Sequence, residues 1–194
     1  MKRIAVFSSH NGSNLQAIID GCKRGKISAV VALVVSNNPD SFSLERAKRA
    51  GIPRVCLNSK ALGKSLGDKM LFWLAKHDID IVFLAGYLKK LPQKVLREYE
   101  GKVFNIHPSL LPKFGGKGMY GTRVHRAVLQ AGETETGVTI HRVNSEYDTG
   151  ETVAQFKVPV ESGDTAETLA KRVLAAEHKL LVQTLHELAK EEST

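Results

Sequence analysis

Residues 4–19 read Ile4-Ala5-Val6-Phe7-Ser8-Ser9-His10-Asn11-Gly12-Ser13-Asn14-Leu15-Gln16-Ala17-Ile18-Ile19, and this stretch decides the fold. Four apolar residues run into a polar turn. Helical spacing then begins, with Leu15, Ile18, Ile19 and Cys22 on one face. A buried strand hands over to an amphipathic helix, which Gly25 can end. The unit recurs outward along the chain. Ala29 to Val35 and Ile79 to Ala85 are further apolar runs, and Leu66, Met70, Trp73 and Leu74 mark another helical face. Val103 to Ile106 is a fourth run, after a helix around Gln93 to Tyr99. Alternating strands and helices predict a parallel sheet with right-handed crossovers. Runs that are apolar on both faces require helices on both sides of it.

The pattern changes after residue 107. Pro108 to Gly121 reads as a long loop and Thr122 to Gln130 as a short helix. Thr136 to Val143 and Thr152 to Val160 are close enough to pair as a hairpin. Thr165 to Glu191 is amphipathic, with Leu169, Val173, Ala176 and Leu180 as its core stripe. Asp164 with Glu167 and Ser13 with Gln16 have the spacing of capping boxes. The expectation is an α/β fold: one domain over residues 1–194, a mostly parallel twisted sheet flanked by helices, and antiparallel strands in the last third.

Composition narrows the function. The 194 residues carry 28 Lys and Arg against 20 Asp and Glu, a formal charge of +8. The basic residues are scattered, and with aromatic residues at 6% no stacking platform for nucleic acid is legible. Small anions or a solvated surface fit better, and no nucleic-acid partner is expected. Two cysteines exclude a disulfide framework or a Cys-rich zinc site. No apolar run nears the roughly 20 residues of a membrane helix, and no secretory leader is visible, so a cytoplasmic protein without a membrane partner is expected.

Chemistry has three candidate locations. At Ser8 to Gln16 the free N–H groups of Gly12, Ser13 and Asn14 stand at the positive end of a helix dipole, a setting for phosphate. The plainer alternative is an ordinary strand-to-helix turn. Gly116 to Gly121 matches GxGxxG in letters but follows no first strand, so dinucleotide binding is rejected and a loop able to close over a ligand is read instead. In Asn105-Ile106-His107-Pro108-Ser109-Leu110-Leu111-Pro112, Asn105 and His107 lie two apart on a strand, hence on one side, at the carboxyl end where open α/β sheets bind ligands. An amide donor beside an imidazole suits oxyanion stabilisation and proton handling. Asp148, in Glu146-Tyr147-Asp148-Thr149-Gly150, is the carboxylate expected to raise the His107 pKa and keep it cationic. The plainer readings are a capped strand end and a solvated turn. His107, His125 and His141 show no metal-ligand spacing, and no metal is expected.

Together, Asn11 to Ile18, Leu84-Ala85-Gly86-Tyr87, Asn105 to Pro112 and Asp148-Thr149-Gly150 occur in an order that resembles the folate-dependent formyltransferases along nearly the whole chain, and within them the branch that formylates glycinamide ribonucleotide. The resemblance implies a Rossmann-like formyltransferase fold and transfer of the formyl group of 10-formyltetrahydrofolate, a co-substrate, to the amine of 5-phosphoribosylglycinamide in purine biosynthesis. It implies catalysis by Asn105, His107 and Asp148. Gly12, Ser13 and Asn14 would hold the phosphate and Glu177 the ribose. Leu88, Lys89, Lys90 and Leu91 would line the folate pocket, with Asn144, Ser145, Glu146, Tyr147 and Asp148 closing it and Lys64 reaching the folate tail. Lys89-Lys90 stands where relatives often carry one Arg, and Phe114 to Gly121 is longer and richer in glycine. A monomer or homodimer is expected. Formylation of another amine, hydrolysis of formyltetrahydrofolate and an idle phosphate-ligand module are the alternatives. The expected chain end, Lys190 to Thr194, leaves no room for a tRNA-recruiting domain.

Overall fold

Lys2–Phe7 forms β1 and Ser13–Lys23 forms α1, so the opening stretch folds as its pattern requires. The computed structural model describes residues 1–190. Onward from α1 come β2 (Ala29–Ser36), α2 (Phe42–Arg49), β3 (Arg54–Cys56), α3 (Ser59–Leu62), a 3-10 turn (Gly63–Ser65) and α4 (Leu66–Lys76). Then follow β4 (Ile81–Leu84), α5 (Gln93–Glu98), β5 (Val103–His107), α6 (Thr122–Gln130), β6 (Glu135–Arg142), β7 (Thr152–Pro159) and α7 (Ala166–Lys190). The strand order is β3-β2-β1-β4-β5-β6-β7. Pairs from β3 to β5 are parallel, and β5–β6 and β6–β7 are antiparallel.

Strand alternation divides the core in two. Ile4 and Val6 of β1, with Ile81 and Phe83 of β4, join one cluster that includes α1 and the α7 stripe Leu169, Val173, Ala176 and Leu180. Ala5 and Phe7, with Val82 and Leu84, point the other way, against Met70 and Leu74 of α4 and Val95 of α5. The chain runs outward from β1 to β2 and β3, then returns to β4 on the opposite side of β1. The carboxyl ends of β1 and β4 therefore flank a topological switch point, where ligand crevices open in such sheets.

Local details differ from expectation. Helix α2 and strand β3 carry no readable apolar period, because α2 buries only the small Ser43 and Ala47 and β3 spans three residues. Neither expected capping box forms. Gly12 precedes α1 without a side-chain cap, and Gln16 instead accepts from Arg46 and donates to Asp20. At α7, Thr165 Oγ1 accepts the Thr168 N–H while Thr168 Oγ1 accepts the Thr165 N–H; Asp164 is held by Arg172 at 2.6 Å. The helix expected to reach Glu191 is described to Lys190, so Glu191 and the expected chain end beyond it lie outside the described residues.

Candidate active site

Asn105 and His107 leave β5 on the same side, as two-residue spacing demands, and both line a cavity of about 670 Å³. His107 is 4% exposed. Its Nε2–H donates to the Phe114 carbonyl at 2.8 Å, and its Nδ1 lies 3.5 Å from Asp148 Oδ2. Both partners sit on left-handed backbone, Phe114 at φ 57° and Asp148 at φ 54°. Such angles are uncommon outside glycine and cluster where a side chain must be aimed. Asp148 also accepts the Gly116 N–H at 2.9 Å, which ties the glycine-rich loop to the cluster of Asn105, His107 and Asp148.

His141 completes the cluster and was weighed in the sequence only as a metal ligand. It stands opposite Asn105 across the β5–β6 ladder and is 2% exposed. Its Nδ1–H donates to the Arg142 carbonyl at 2.8 Å, which leaves the Nε2 lone pair to accept from Asn105 Nδ2 at 3.1 Å. Asp148 Oδ1 is 3.4 Å from the same Nε2. The signal for it was the alternation Val138-Thr139-Ile140-His141, which puts Thr139 and His141 on the face opposite the apolar pair.

Electrostatics correct one expectation. Burial pushes the His107 pKa below the ordinary imidazole value and outweighs the pull of Asp148 and the Phe114 carbonyl, so His107 is not held cationic at neutral pH. Both of its contacts are nevertheless acceptors, which an imidazolium serves best. The site thus accepts a proton on His107 only when something beyond the resting protein favours it. Burial likewise pushes the Asp148 carboxyl up, but His141, His107 once protonated and the Gly116 N–H together leave it below the ordinary carboxylate value.

Leu88, Lys89, Lys90 and Leu91 form one wall of the cavity, and Asn144, Ser145, Glu146 and Tyr147 form another. Lys90 joins them: its Nζ donates to the Ser145 carbonyl at 2.9 Å and lies 4.8 Å from the Tyr147 ring centre. Asn144 Oδ1 accepts from the Glu146 N–H and the Thr149 hydroxyl, which folds the loop on itself. Lys64 is the exception among the expected site residues. It lies exposed on the Gly63–Ser65 turn and lines neither this cavity nor the next, because that turn packs beside α4 rather than at the strand ends.

A second cavity of about 430 Å³ opens on Gly12, Ser13 and Asn14 and shares Asn14, Gly86, Leu88 and Tyr120 with the first. His10 and Arg123 line it, and no carboxylate among the described residues does. Where the two cavities meet, Asn14 Nδ2 donates to Glu177 Oε2 at 2.6 Å. Burial raises the Glu177 pKa and the Asn14 bond opposes it. His125 of α6 also lines the first cavity, is 4% exposed and leaves Nδ1 without a partner. Chemically, the arrangement offers a loop with N–H groups suited to an anion, a neighbouring slot with polar and apolar walls, and an amide, imidazole and carboxylate lining that slot.

Known proteins resemble this chain in sequence and fold. The phosphoribosylglycinamide formyltransferase of Haemophilus influenzae is 41% identical over 182 residues, 93% of this chain and 84% of that protein. The chloroplastic phosphoribosylglycinamide formyltransferase of Arabidopsis thaliana is 44% identical over 98% of this chain, which spans 66% of that relative's length. The crystal structure of phosphoribosylglycinamide formyltransferase from Bacillus halodurans superposes with a TM-score of 0.91 at 38% identity, over 98% of this chain and 96% of that one. The formyl transferase family model matches residues 2–185, which takes in the anion loop, both cavity walls, the Asn105–His107–Asp148 cluster and Glu177. The chain belongs to the formyl transferase family.

Proposed function

We propose that the protein transfers the formyl group of 10-formyltetrahydrofolate to the amine of 5-phosphoribosylglycinamide, a step of purine biosynthesis. One observation carries this reading: a cavity with no carboxylate among its described lining residues, beside loop N–H groups that make no hydrogen bond among the described residues, opens through Asn14, Gly86 and Leu88 into the larger cavity on which Asn105, His107 and Asp148 converge. The phosphate fits the Gly12–Ser13–Asn14 loop, and the ribose reaches Glu177. The pterin fits between the 88–91 and 144–148 segments. The 194 residues act as one catalytic domain. Whether it works as a monomer or a homodimer does not enter the chemistry, since every proposed site residue comes from one chain.

The neutral amine attacks the formyl carbon, and the carbonyl oxygen becomes an oxyanion. The Asn105 amide stabilises it: Nδ2 is held by His141 at 3.1 Å, and its longer bond to Asp148 Oδ1, 3.5 Å, is the one exchanged for the oxyanion. Attack makes the amine acidic. His107, neutral at rest, takes that proton, and the imidazolium so formed is served by Asp148 and the Phe114 carbonyl. The proton then passes, directly or through water, to N10 of the folate. The C–N10 bond breaks, leaving the formyl amide and tetrahydrofolate, with no net proton change. Holding both substrates and stabilising the oxyanion supply most of the rate.

The test is release of tetrahydrofolate from 10-formyltetrahydrofolate by the purified protein. Release that depends on phosphoribosylglycinamide is expected. Equal release without it would assign the hydrolase reaction instead, and no release in either case would refute both.

A further inference from the structure

The anion loop has a back as well as a front. Its front, the second cavity, is lined by Asn11, Gly12, Ser13 and Asn14. Its back is covered by α2, none of whose residues lines that cavity. Donors from α2 and from Ser41 just before it take up the loop's carbonyl oxygens. The Ser43 N–H and the Ser41 hydroxyl both reach the His10 carbonyl, at 3.1 and 2.8 Å, and the Ser43 hydroxyl reaches the Ser8 carbonyl at 3.4 Å. Arg46 Nε donates to the Asn11 carbonyl at 2.8 Å; its other nitrogens reach Asn11 Oδ1 at 3.3 Å and Gln16 Oε1 at 3.1 Å. The guanidinium lies 4.8 Å from the Phe42 ring centre and has no carboxylate partner among the described residues.

A trans peptide unit is planar, with its C=O and N–H pointing opposite ways. Pinning the Asn11 carbonyl to Arg46 therefore aims the Gly12 N–H away from α2, and pinning the His10 carbonyl aims the Asn11 N–H the same way. The N–H groups of Gly12, Ser13 and Asn14 make no hydrogen bond among the described residues, which leaves them for a ligand. Acceptors face the back and donors the front. An uncompensated guanidinium behind the loop adds positive potential to that front.

We infer that Arg46 is the positioning residue that makes the loop selective for a phosphate-bearing substrate: it holds the Asn11–Gly12 peptide with its donor toward the anion, and touches no substrate itself. This rests on the proposed formyl transfer to a phosphorylated glycinamide riboside and names the device that recognises its phosphate. Gly12 belongs to the same device. Its φ is 71°, and a Cβ there would stand 2.9 Å from Ser43 Cβ, so the close approach of loop to helix requires glycine.

The experiment is steady-state kinetics of wild type, Arg46→Ala and Arg46→Lys with the phosphorylated substrate and with the same glycinamide riboside lacking phosphate. Losing charge-assisted hydrogen bonds that order the loop is expected to raise KM for the phosphorylated substrate about tenfold or more in Arg46→Ala. Turnover at saturation, KM for the formyl donor and KM for the unphosphorylated substrate are expected to stay near wild type. Lysine, with one ammonium for three acceptors, is expected to recover only part of the loss and, being long and cationic, keeps a folded comparison available if the alanine variant precipitates. An Arg46 variant that discriminates the two substrates as wild type does would overturn the inference, and so would KM rising equally for both. A wild-type protein indifferent to the phosphate would sink the reading beneath it, and this inference with it.

Discussion

His107 carries two opposed demands: burial disfavours its charge, and both ring nitrogens face acceptors. A relay needs this balance, because a base must be free to take a proton and then be stabilised once it has it. Since the neutral imidazole is the competent form, kcat/KM is expected to rise with pH along an acid limb whose midpoint lies below the ordinary histidine value of 6.5 and to be flat through neutrality. Asp148→Asn removes a charge that pulls the His107 pKa up, so the limb should move to still lower pH while turnover falls. A limb on the alkaline side in wild type would instead make the imidazolium the resting form. Asn105→Ala removes the oxyanion donor and is expected to lower kcat about 100- to 1000-fold with KM little changed, measured by single-turnover formyl transfer. At this scale the sequence was legible wherever chemistry followed local spacing. Asn105 and His107 share a strand face, and Asp148 stands before a turn glycine. His141 was legible only as to its strand face, since its place beside Asn105 comes from register, and Arg46 was not legible, since it enters through a helix with no apolar period.

Strands β5 and β6 aim Asn105, His107 and His141, and the loop that brings Asp148 to them is held from both ends. The segment 144–148 is closed by Asn144 within itself, by Lys90 from the opposite wall and by Asp148 toward Gly116. Its return into β7 passes Gly150, where an added Cβ would collide with the Arg142 carbonyl, the same carbonyl that accepts from His141 Nδ1. Gly150→Ala is therefore expected to cost about 1–3 kcal/mol of stability through overpacking. It should also lower kcat, because moving that carbonyl releases the His141 ring and the Asn105 amide behind it. Chemical denaturation and turnover on the same preparation test this, and an alanine variant with normal stability would remove the close approach from the account. Apart from short elements such as α2 and β3, strand and helix positions were readable from periodicity, and so was the hairpin of β6 and β7. The capping residues were not. A nearby arginine took the expected cap in each case, Arg46 from Gln16 and Arg172 from Asp164, and such competition depends on tertiary neighbours.

For the whole molecule, the strand order was legible only as a class. Apolar runs alternating with amphipathic ones imply a covered parallel sheet, but not which strand lies beside β1. That placement creates the crevice, and it also forces ionisable groups into the interior. Burial lowers the pKa of His107 and His125 below the ordinary imidazole value. The unfolded chain binds those protons first as pH falls. Their contribution is thus whole above about pH 6.5 and is lost as pH drops toward the native values. Glu177 has the opposite sign. Burial raises its pKa above 4.5, so its native state is favoured below that value and loses stability as pH rises through the native pKa. The buried Glu177 carboxyl is bonded by Asn14. Glu177→Gln keeps an oxygen to accept the Asn14 amide and removes the charge, so the variant should melt at a higher temperature than wild type near pH 7.5. The gain should shrink on acidification and vanish below about pH 4.5, where the unfolded and native carboxyls are both protonated. Thermal midpoints across that range decide it: an equal midpoint at pH 7.5, or a gain that grows toward acid, would mean that burial does not raise the Glu177 pKa. A simultaneous rise in KM for the ribonucleotide would show that the same carboxylate destabilises the fold and holds the sugar.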